Sequence, residues 1–259
     1  MKRNNRIVIL CSSILLTLAN SPLLASENEI KNFEIAVPIS APFAYKNEQG
    51  EPAGFLVELF ALLEQKSAVQ ANISIMPWPR AMHEVKVGHI NALMPTIYTD
   101  ERTDFFAYPK LPIFETNTVL LKRAQDNIAV DDITQLGTDK VIAKVRSTSV
   151  GKAFDDAEKA GLIKVIEVRD FDHAIQMLAT SRVDLVICAD HISSSSLNRL
   201  NLRDSIETIN FSHGKVPAYL AFSKAFAAQY NIDSLMQKIK AIEDTAEYKI
   251  LVSKYLKTI

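Results

Sequence analysis

Short apolar runs alternate with amphipathic segments through most of the chain. Each run is bounded by Gly, Pro or polar residues, and in the segments between runs the apolar positions recur every three or four residues. The runs predict buried strands, and the amphipathic segments predict helices with one buried face. The predicted strands are 33–37, 72–76, 90–95, 116–122, 141–145, 164–168, 183–188 and 217–223, and the predicted helices are 54–67, one from 80, 149–160, 171–181 and two covering 235–242 and 250–255.

This alternation favours two α/β units in one chain. Nearly continuous apolar strands separated by helices are typical of a parallel sheet covered on both faces. No linker rich in Gly or Ser separates the units, and the extended segments 116–122 and 214–222 are candidates for crossing between them. We therefore expect a two-lobed clamp, each lobe a mostly parallel sheet flanked by helices, with two hinge strands. The expected boundaries are 27–118 for the first part of lobe 1, 119–213 for lobe 2 and 214–259 for the return to lobe 1.

The first 26 residues resemble a secretory signal peptide. A basic start with Lys2, Arg3 and Arg6 precedes an apolar core and a small-residue region. The core is too short for a membrane span, which needs about twenty apolar residues. Cleavage after Ala25 or Ser26 would release the protein into the periplasm; retention as an N-terminal anchor is the alternative.

Charge and cysteine content exclude several classes of function. The formal net charge is −1, and removal of the signal peptide takes away three basic residues and no acidic one. No basic stripe predicts nucleic-acid binding. Cys188 is the one cysteine outside residues 1–26, so no intramolecular disulfide is expected. The five histidines show no metal-binding spacing, and we expect no metal, no cofactor and a monomer.

The segment Thr99–Arg102 carries the clearest chemical signal. Thr99 is a candidate helix N-cap, since its hydroxyl can accept a backbone N–H from the first turn. Arg102 would then be the third helical residue, where a planar guanidinium beside free N–H groups can bind a small carboxylate. The alternative is a surface ion pair with Asp100 or Asp104.

Six motifs in order resemble the periplasmic solute-binding proteins of the polar amino acid type, the bacterial extracellular solute-binding proteins of family 3. Each motif alone is weak, but their order and intervals match the family over nearly the whole exported chain. The matching segments are Phe43-Ala44-Tyr45 with Gly54–Leu59, Gly88–Ala92, Thr99–Arg102, Arg146–Ser149, Val183–Val186 and Ala218–Lys224.

The resemblance implies a ligand site between the lobes. It assigns carboxylate binding to Arg102, helped by Thr148 and Ser149, which would open a helix. Phe43, Tyr45 and Trp78 are candidate apolar walls, and Thr96 is a further candidate contact. The alternatives are that Thr148 or Ser149 only caps a helix and that each aromatic only packs in the core.

Four positions depart from the family pattern. Ile97 stands where a small hydroxyl residue is usual, Asn91 replaces Asp, and Ser147 replaces Gly. The acidic residue that meets the ligand's ammonium should follow Asp184 by five positions, but Asp190 follows it by six. A bulge could turn Asp190 into the cleft, and otherwise Asp190 would cap a helix.

The expected function is capture of a small polar solute, an amino acid or related carboxylate, for an inner-membrane ABC-type transporter. A ligand-sensing module for a receptor and a dehydratase-like enzyme are the alternatives, and we expect no enzyme activity. The role of Arg80 in the segment Pro77–Arg80 stays open between a second cleft cation and a solvated helix face.

Overall fold

The first lobe is assembled from the N-terminal part of the chain. The computed structural model describes residues 28–255, so the predicted signal peptide lies outside the described residues. The elements of this part are β1 (Asn32–Pro38), β2 (Tyr45–Lys46), β3 (Pro52–Ala53), α1 (Phe55–Ser67), β4 (Gln70–Met76), α2 (Trp78–Lys86), β5 (Ala92–Ile97), a 3-10 helix (Asp100–Asp104) and β6 (Phe106–Ala107).

The second lobe follows, and the chain then returns to the first. The C-terminal helices pack on α1, which ties the end of the chain to lobe 1. The elements are β7 (Phe114–Arg123), a 3-10 helix (Ile133–Leu136), β8 (Val141–Val145), α3 (Lys152–Lys159), β9 (Lys164–Val168), α4 (Phe171–Ala179), β10 (Leu185–Ala189), α5 (Asp190–Arg199), β11 (Ile206–Ser223), α6 (Lys224–Ala227), α7 (Ile232–Glu243) and α8 (Ala246–Tyr255).

Two long strands join the parallel strands of the two lobes into one continuous sheet. The strand order is β4-β1-β5-β11-β7-β10-β8-β9. Strands β4, β1 and β5 are parallel in lobe 1, as are β10, β8 and β9 in lobe 2, while β7 and β11 run antiparallel between them. The predicted fold, two mostly parallel sheets flanked by helices and joined by two strands, is confirmed.

The pairing of β7 with β11 is interrupted in its middle. Asn210 pairs with Val119, Lys215 pairs with Asn117, and the register shifts between these two pairs. On the lobe 2 side of the shift, β7 also pairs with β10. On the lobe 1 side, β11 also pairs with β5. Because the hydrogen-bond ladder is irregular at this point, a bend between the lobes would break fewer regular hydrogen bonds here than elsewhere along the two strands.

Both sheets are covered on two faces, as their apolar strands predict. In β1, Ile35 and Val37 belong to one buried cluster and Ala36 to another, because successive side chains of a strand point to opposite faces. In β7, Val119 and Leu121 face one cluster of lobe 2 while Leu120 faces the other. Each lobe therefore has its own core.

Helices α2 and α3 begin two and three residues away from their predicted starts. Helix α2 starts at Trp78, not at Arg80, because Pro79 is tolerated in a first helical turn. Helix α3 starts at Lys152, three residues after the predicted Ser149. Its N-cap Gly151 has φ +121°, which is outside the helical region, so the helix cannot extend back through it.

Candidate functional site

The carboxyl end of β5 holds Arg102 in the predicted local structure. Thr99 is the N-cap of the following 3-10 helix, and its hydroxyl accepts the Arg102 backbone N–H at 3.3 Å. Arg102 is the third residue of that helix, as expected. This cap directs the Arg102 side chain back across the end of the strand, toward the second lobe.

The Arg102 guanidinium is buried and bridges the two lobes. Only 7% of the residue is exposed. Its Nη1 donates to the Ile97 carbonyl at 2.7 Å, and its Nη2 donates to the Ser147 carbonyl at 2.9 Å. Burial lowers the pKa of Arg102, while nearby Tyr108 and Asp155 oppose that shift. An arginine does not lose its charge in a protein, so the site contains a desolvated cation.

No carboxylate pairs with this cation in the described part of the chain. Within residues 28–255 the guanidinium donates to these two carbonyls, it also interacts with the Tyr108 hydroxyl, and it forms no ion pair. A buried charge without a counter-charge is costly. Arg102 therefore has the burial and the unused charge that an anionic ligand requires.

Trp78 covers the same place from helix α2. Its indole N–H donates to the Ser147 carbonyl at 2.9 Å, and the Arg102 guanidinium carbon lies 5.4 Å from the centre of its ring. That distance falls in the range of a cation–π contact. Trp78 and Arg102, both from lobe 1, thus converge on one carbonyl oxygen of lobe 2.

That carbonyl belongs to a tight turn after β8. Thr148 donates its N–H to the Val145 carbonyl at 3.2 Å, which closes the turn, and its hydroxyl donates to the same oxygen at 2.6 Å. Ser147 has φ +61°, a left-handed conformation that Gly adopts more easily. The Ser147 N–H is held by Glu167 at 3.2 Å, so the turn presents its carbonyl to lobe 1.

Ser149 lies beside this turn but bonds within its own lobe. Its hydroxyl donates to the Asp155 carboxylate and accepts the Gly151 N–H at 3.4 Å. The other Asp155 oxygen is buried and has no hydrogen-bond partner among the described residues. The structure thus brings Thr148 and Ser149 close to Arg102, with both hydroxyls engaged locally.

Asp190 lies at the start of α5, against the hinge strand β7. Its carboxylate accepts hydrogen bonds from the Asn117 side chain at 2.8 Å and from the Thr116 hydroxyl at 3.2 Å. The N-cap of α5 is Ala189, and its side chain makes no capping bond. These two hydrogen bonds connect the Asp190 carboxylate to the hinge strand.

Three other predicted contacts lie inside lobe 1. Phe43 is 6% exposed and packs against Phe55 and Phe114 at ring distances of 5.8 and 5.7 Å. Thr96 is fully buried, and its hydroxyl donates to the Leu93 carbonyl at 3.1 Å. Tyr45 is half-buried in the β2–β3 hairpin. The structure does not join these three to Arg102, and their role in ligand contact stays a prediction.

An aromatic neighbour of Arg102 was missed in the sequence. The Tyr108 hydroxyl donates to the Ile97 carbonyl at 3.4 Å, the same oxygen that Arg102 uses. Burial raises the pKa of Tyr108 to about 12, although Arg102 opposes the rise. Tyr98 and Tyr219 pack edge-on against its ring. The aromatic run 105–108 was visible, but its spacing does not show which ring reaches the strand end.

The match to a family model decides the class of this chain. The model for bacterial extracellular solute-binding proteins, family 3, matches residues 34–258. The chain belongs to this family. A comparison with curated protein sequences gave no match.

Solved structures of three kinds of protein share this family's fold. The substrate-binding protein of an amino acid ABC transporter has a TM-score of 0.71 and 18% identity, over 87% of this chain and 99% of that chain. An ancestral amino acid-binding protein, a precursor of cyclohexadienyl dehydratase, has a TM-score of 0.69 and 17% identity, over 88% and 96%. A histidine kinase sensor domain has a TM-score of 0.74 and 14% identity, over 88% and 97%. At these identities the likeness shows the fold alone.

The departures from the family pattern have structural roles here. The Asn91 side-chain oxygen accepts the Glu34 N–H at 2.8 Å, which joins the loop before β5 to β1. Ile97, in place of a hydroxyl residue, contributes its backbone carbonyl to Arg102 and Tyr108. Ser147, in place of Gly, keeps the left-handed turn. Two of these residues, Ile97 and Ser147, therefore contact Arg102 through their backbone carbonyls.

A cavity of about 300 Å³ lies elsewhere, near the residues that precede β5. Asn32, Asn91 and Ser223 are among its lining residues, and Arg102 is not. Among the described residues no group of three or more His, Cys, Asp or Glu could hold a metal ion. None of the helices within residues 28–255 has the length and apolar character needed to cross a membrane.

Proposed function

We propose that this protein captures a small solute with a carboxylate group, an amino acid or a related acid, in the cleft between its lobes. One observation carries the proposal: Arg102 is a buried cation between the lobes of a solute-binding protein, and its hydrogen-bond acceptors are two neutral carbonyls. A ligand carboxylate would supply the missing counter-charge through a bidentate, charge-assisted pair. Two of the similar structures are the substrate-binding protein of an amino acid ABC transporter and an ancestral amino acid-binding protein.

Asp190 is the proposed partner for an ammonium group at the other end of the ligand. It is held on the hinge strand by two neutral donors, Thr116 and Asn117. A ligand ammonium would form a charge-assisted hydrogen bond with this carboxylate, which is stronger than a bond between neutral groups. A ligand with both charged groups would then lie between Arg102 and Asp190.

The proposed setting is the periplasm, where the protein would act as a monomer and deliver its solute to an ABC-type permease. The basic and apolar start of the sequence supports export. One similar structure comes from such a transporter. The sensor-domain structure supports a second candidate, a ligand-sensing module for a receptor. Uptake of labelled solute by cells without the gene separates the two, because only delivery to a permease requires the protein for uptake.

Catalysis on this fold is a further alternative, suggested by the precursor of a dehydratase. General acid–base chemistry needs a titratable group within reach of the ligand. Glu58, an acidic residue of the family-like segment Gly54–Leu59, is bound by Lys254 and Tyr255 at 2.6 and 2.5 Å, where α1 meets α8. Asp190 is the titratable group proposed to reach the ligand, and its proposed role there is a charge contact with the ammonium; we propose binding without turnover.

Thermal shift with matched ligands tests the proposed function. Each L-amino acid is compared with the amine that lacks its carboxylate and with the acid that lacks its amino group. A ligand at one hundred times its Kd stabilises the folded protein by about 2.7 kcal/mol. We expect stabilisation by at least one carboxylate and none by its matched amine. Equal stabilisation by the amine, or none by any carboxylate tested, would contradict the proposal.

A further inference from the structure

The Ser147 carbonyl occupies a donor of Arg102 that a ligand carboxylate would use. It lies 2.9 Å from Nη2 and 2.9 Å from the indole nitrogen of Trp78. A carbonyl oxygen has two lone pairs, so these two donors from lobe 1 satisfy it. These hydrogen bonds therefore join the two lobes at the proposed anion site, through the Ser147 carbonyl and without a ligand.

We propose that Trp78 and the Ser147 carbonyl form a latch that closes the cleft without ligand and competes with the ligand for Arg102. The inference rests on the proposed function for the role of Arg102 as the anion-binding residue. It gives Trp78, a candidate wall of the pocket, a second role: its indole N–H holds the second lobe in place.

The conformation of the turn supports this assignment. Ser147 has φ +61°, which is unfavourable for a residue with a Cβ, and its N–H is held by Glu167. These two features together aim the carbonyl at lobe 1. The other contact described between the lobes at this edge is the ion pair of Lys159 with Glu101 at 3.3 Å. Both of its side chains are about four-fifths exposed, so the pair contributes little to closure.

Competition follows from the position of the Ser147 carbonyl on Nη2, because both forked faces of a guanidinium, Nη1–Nη2 and Nε–Nη2, include this nitrogen. Arg102 has five N–H donors, and the Ile97 and Ser147 carbonyls take two of them. A carboxylate that binds in the forked geometry needs two adjacent donors. It would replace the Ser147 carbonyl, because a charge-assisted bond is about twice as strong as a neutral one. A neutral ligand group at the same position gains no such advantage over the Ser147 carbonyl. The latch therefore favours the binding of anionic ligands over neutral ones.

Distance measurement in the ligand-free protein tests the latch directly. Spin labels are placed on Gln65→Cys in α1 and Thr138→Cys in lobe 2, two exposed positions. Cys188 is buried and will not compete for label. The protein is unfolded and refolded before labelling to remove any solute that co-purifies. Pulsed electron resonance then gives the populations of closed and open forms, with the closed distance taken from the structure.

Trp78→Phe is the deciding variant, because it removes the indole N–H and still places an aromatic ring, although a smaller one, over Arg102. We expect the ratio of closed to open protein to fall about fivefold, the factor that one ordinary hydrogen bond supplies. Tyr98→Phe is the matched control: it removes a hydroxyl that bonds Asp100 in the same lobe at 3.3 Å, and it should leave the distances unchanged.

Three results would overturn the inference: a ligand-free wild type that is already open, a Trp78→Phe distribution equal to that of the wild type, or an equal shift in Tyr98→Phe. A melting curve for each variant ensures that the labelled proteins are folded. No ligand takes part, so the outcome is independent of whether the proposed solute class is correct.

Discussion

The two charged ends of the proposed ligand site differ in what holds them. Arg102 is held by a carbonyl of its own lobe and by one of the opposite lobe. Asp190 is held by Thr116 and Asn117 on β7, the strand that pairs with β10 just before Asp190. Opening of the cleft would separate Arg102 from Ser147 but would leave Asp190 with its hinge partners. One end can therefore exchange partners, whereas the other is fixed by the hinge.

The largest expected effect is at the exchangeable end. Arg102→Ala should cost about 2–5 kcal/mol of binding free energy, because the ligand carboxylate is left buried without its partner. Arg102→Lys should recover part of this loss, since an ammonium cannot form the planar fork. Isothermal calorimetry with a carboxylate found by thermal shift measures both. Unchanged affinity in Arg102→Ala would refute the anchoring role.

Asp190→Asn should have a smaller effect that depends on the ligand. We expect about tenfold weaker binding of amino acids, because a charge-assisted bond to the ammonium is lost, and little change for the matched acids without an amino group. Calorimetry on both ligand classes checks this. An equal loss for both classes would show that Asp190 acts on the hinge and not on the ligand.

Alkaline pH should weaken the protein through Tyr108. Its folded pKa is about 12, above the usual value of 10. Below pH 10 the phenol is protonated in both states, so its contribution is complete. Between pH 10 and 12 the unfolded chain releases the proton and the folded protein does not, and stability falls by up to about 2 kcal/mol.

Urea unfolding at pH 9 and at pH 11.5 measures that loss. Tyr108→Phe should remove the Tyr108 part of the fall, while other alkaline titrations continue in both proteins. A wild type and a Tyr108→Phe variant that lose the same free energy over this range would contradict the assignment.

The smallest expected effect is at the turn of the latch. Ser147→Gly keeps the carbonyl and relieves a left-handed conformation at φ +61°. The folded protein should gain up to about 1 kcal/mol, because Gly adopts this region without a steric penalty, and its greater freedom when unfolded offsets part of the gain. Thermal unfolding measures the change. A clear loss of stability would mean that the Ser147 side chain makes a contact that the turn needs.

The fold could be predicted further than the site. The apolar periodicity predicts the strands because burial of their side chains determines where strands form. Thr99 predicts the start of the helix that follows it because its hydroxyl can cap that helix. The role of the Ser147 carbonyl has no such signature in the sequence. Every residue has a backbone carbonyl, and the conformation of the turn decides in which direction this one points. The start of α3 at Lys152 depends on the backbone angle of Gly151, which its residue type permits but does not require.

The site prediction was limited for a related reason. A sequence motif names side chains, and the structure shows that neighbouring backbone and hinge groups decide their partners. Arg102 was expected to bind an anion. In the structure two carbonyls accept its hydrogen bonds, and one of them lies across the cleft, which no motif indicates. Asp190 is one position from the family pattern, and its contact with Asn117 depends on how β10 ends against β7.

A ligand-bound crystal structure tests the central claim most directly. We predict a ligand carboxylate within hydrogen-bond distance of the Arg102 guanidinium, in place of the Ser147 carbonyl, while the Asp190 carboxylate keeps its bond to Asn117. A bound ligand that leaves both the Arg102 and the Trp78 bonds to Ser147 intact, with its carboxylate elsewhere, would contradict the account.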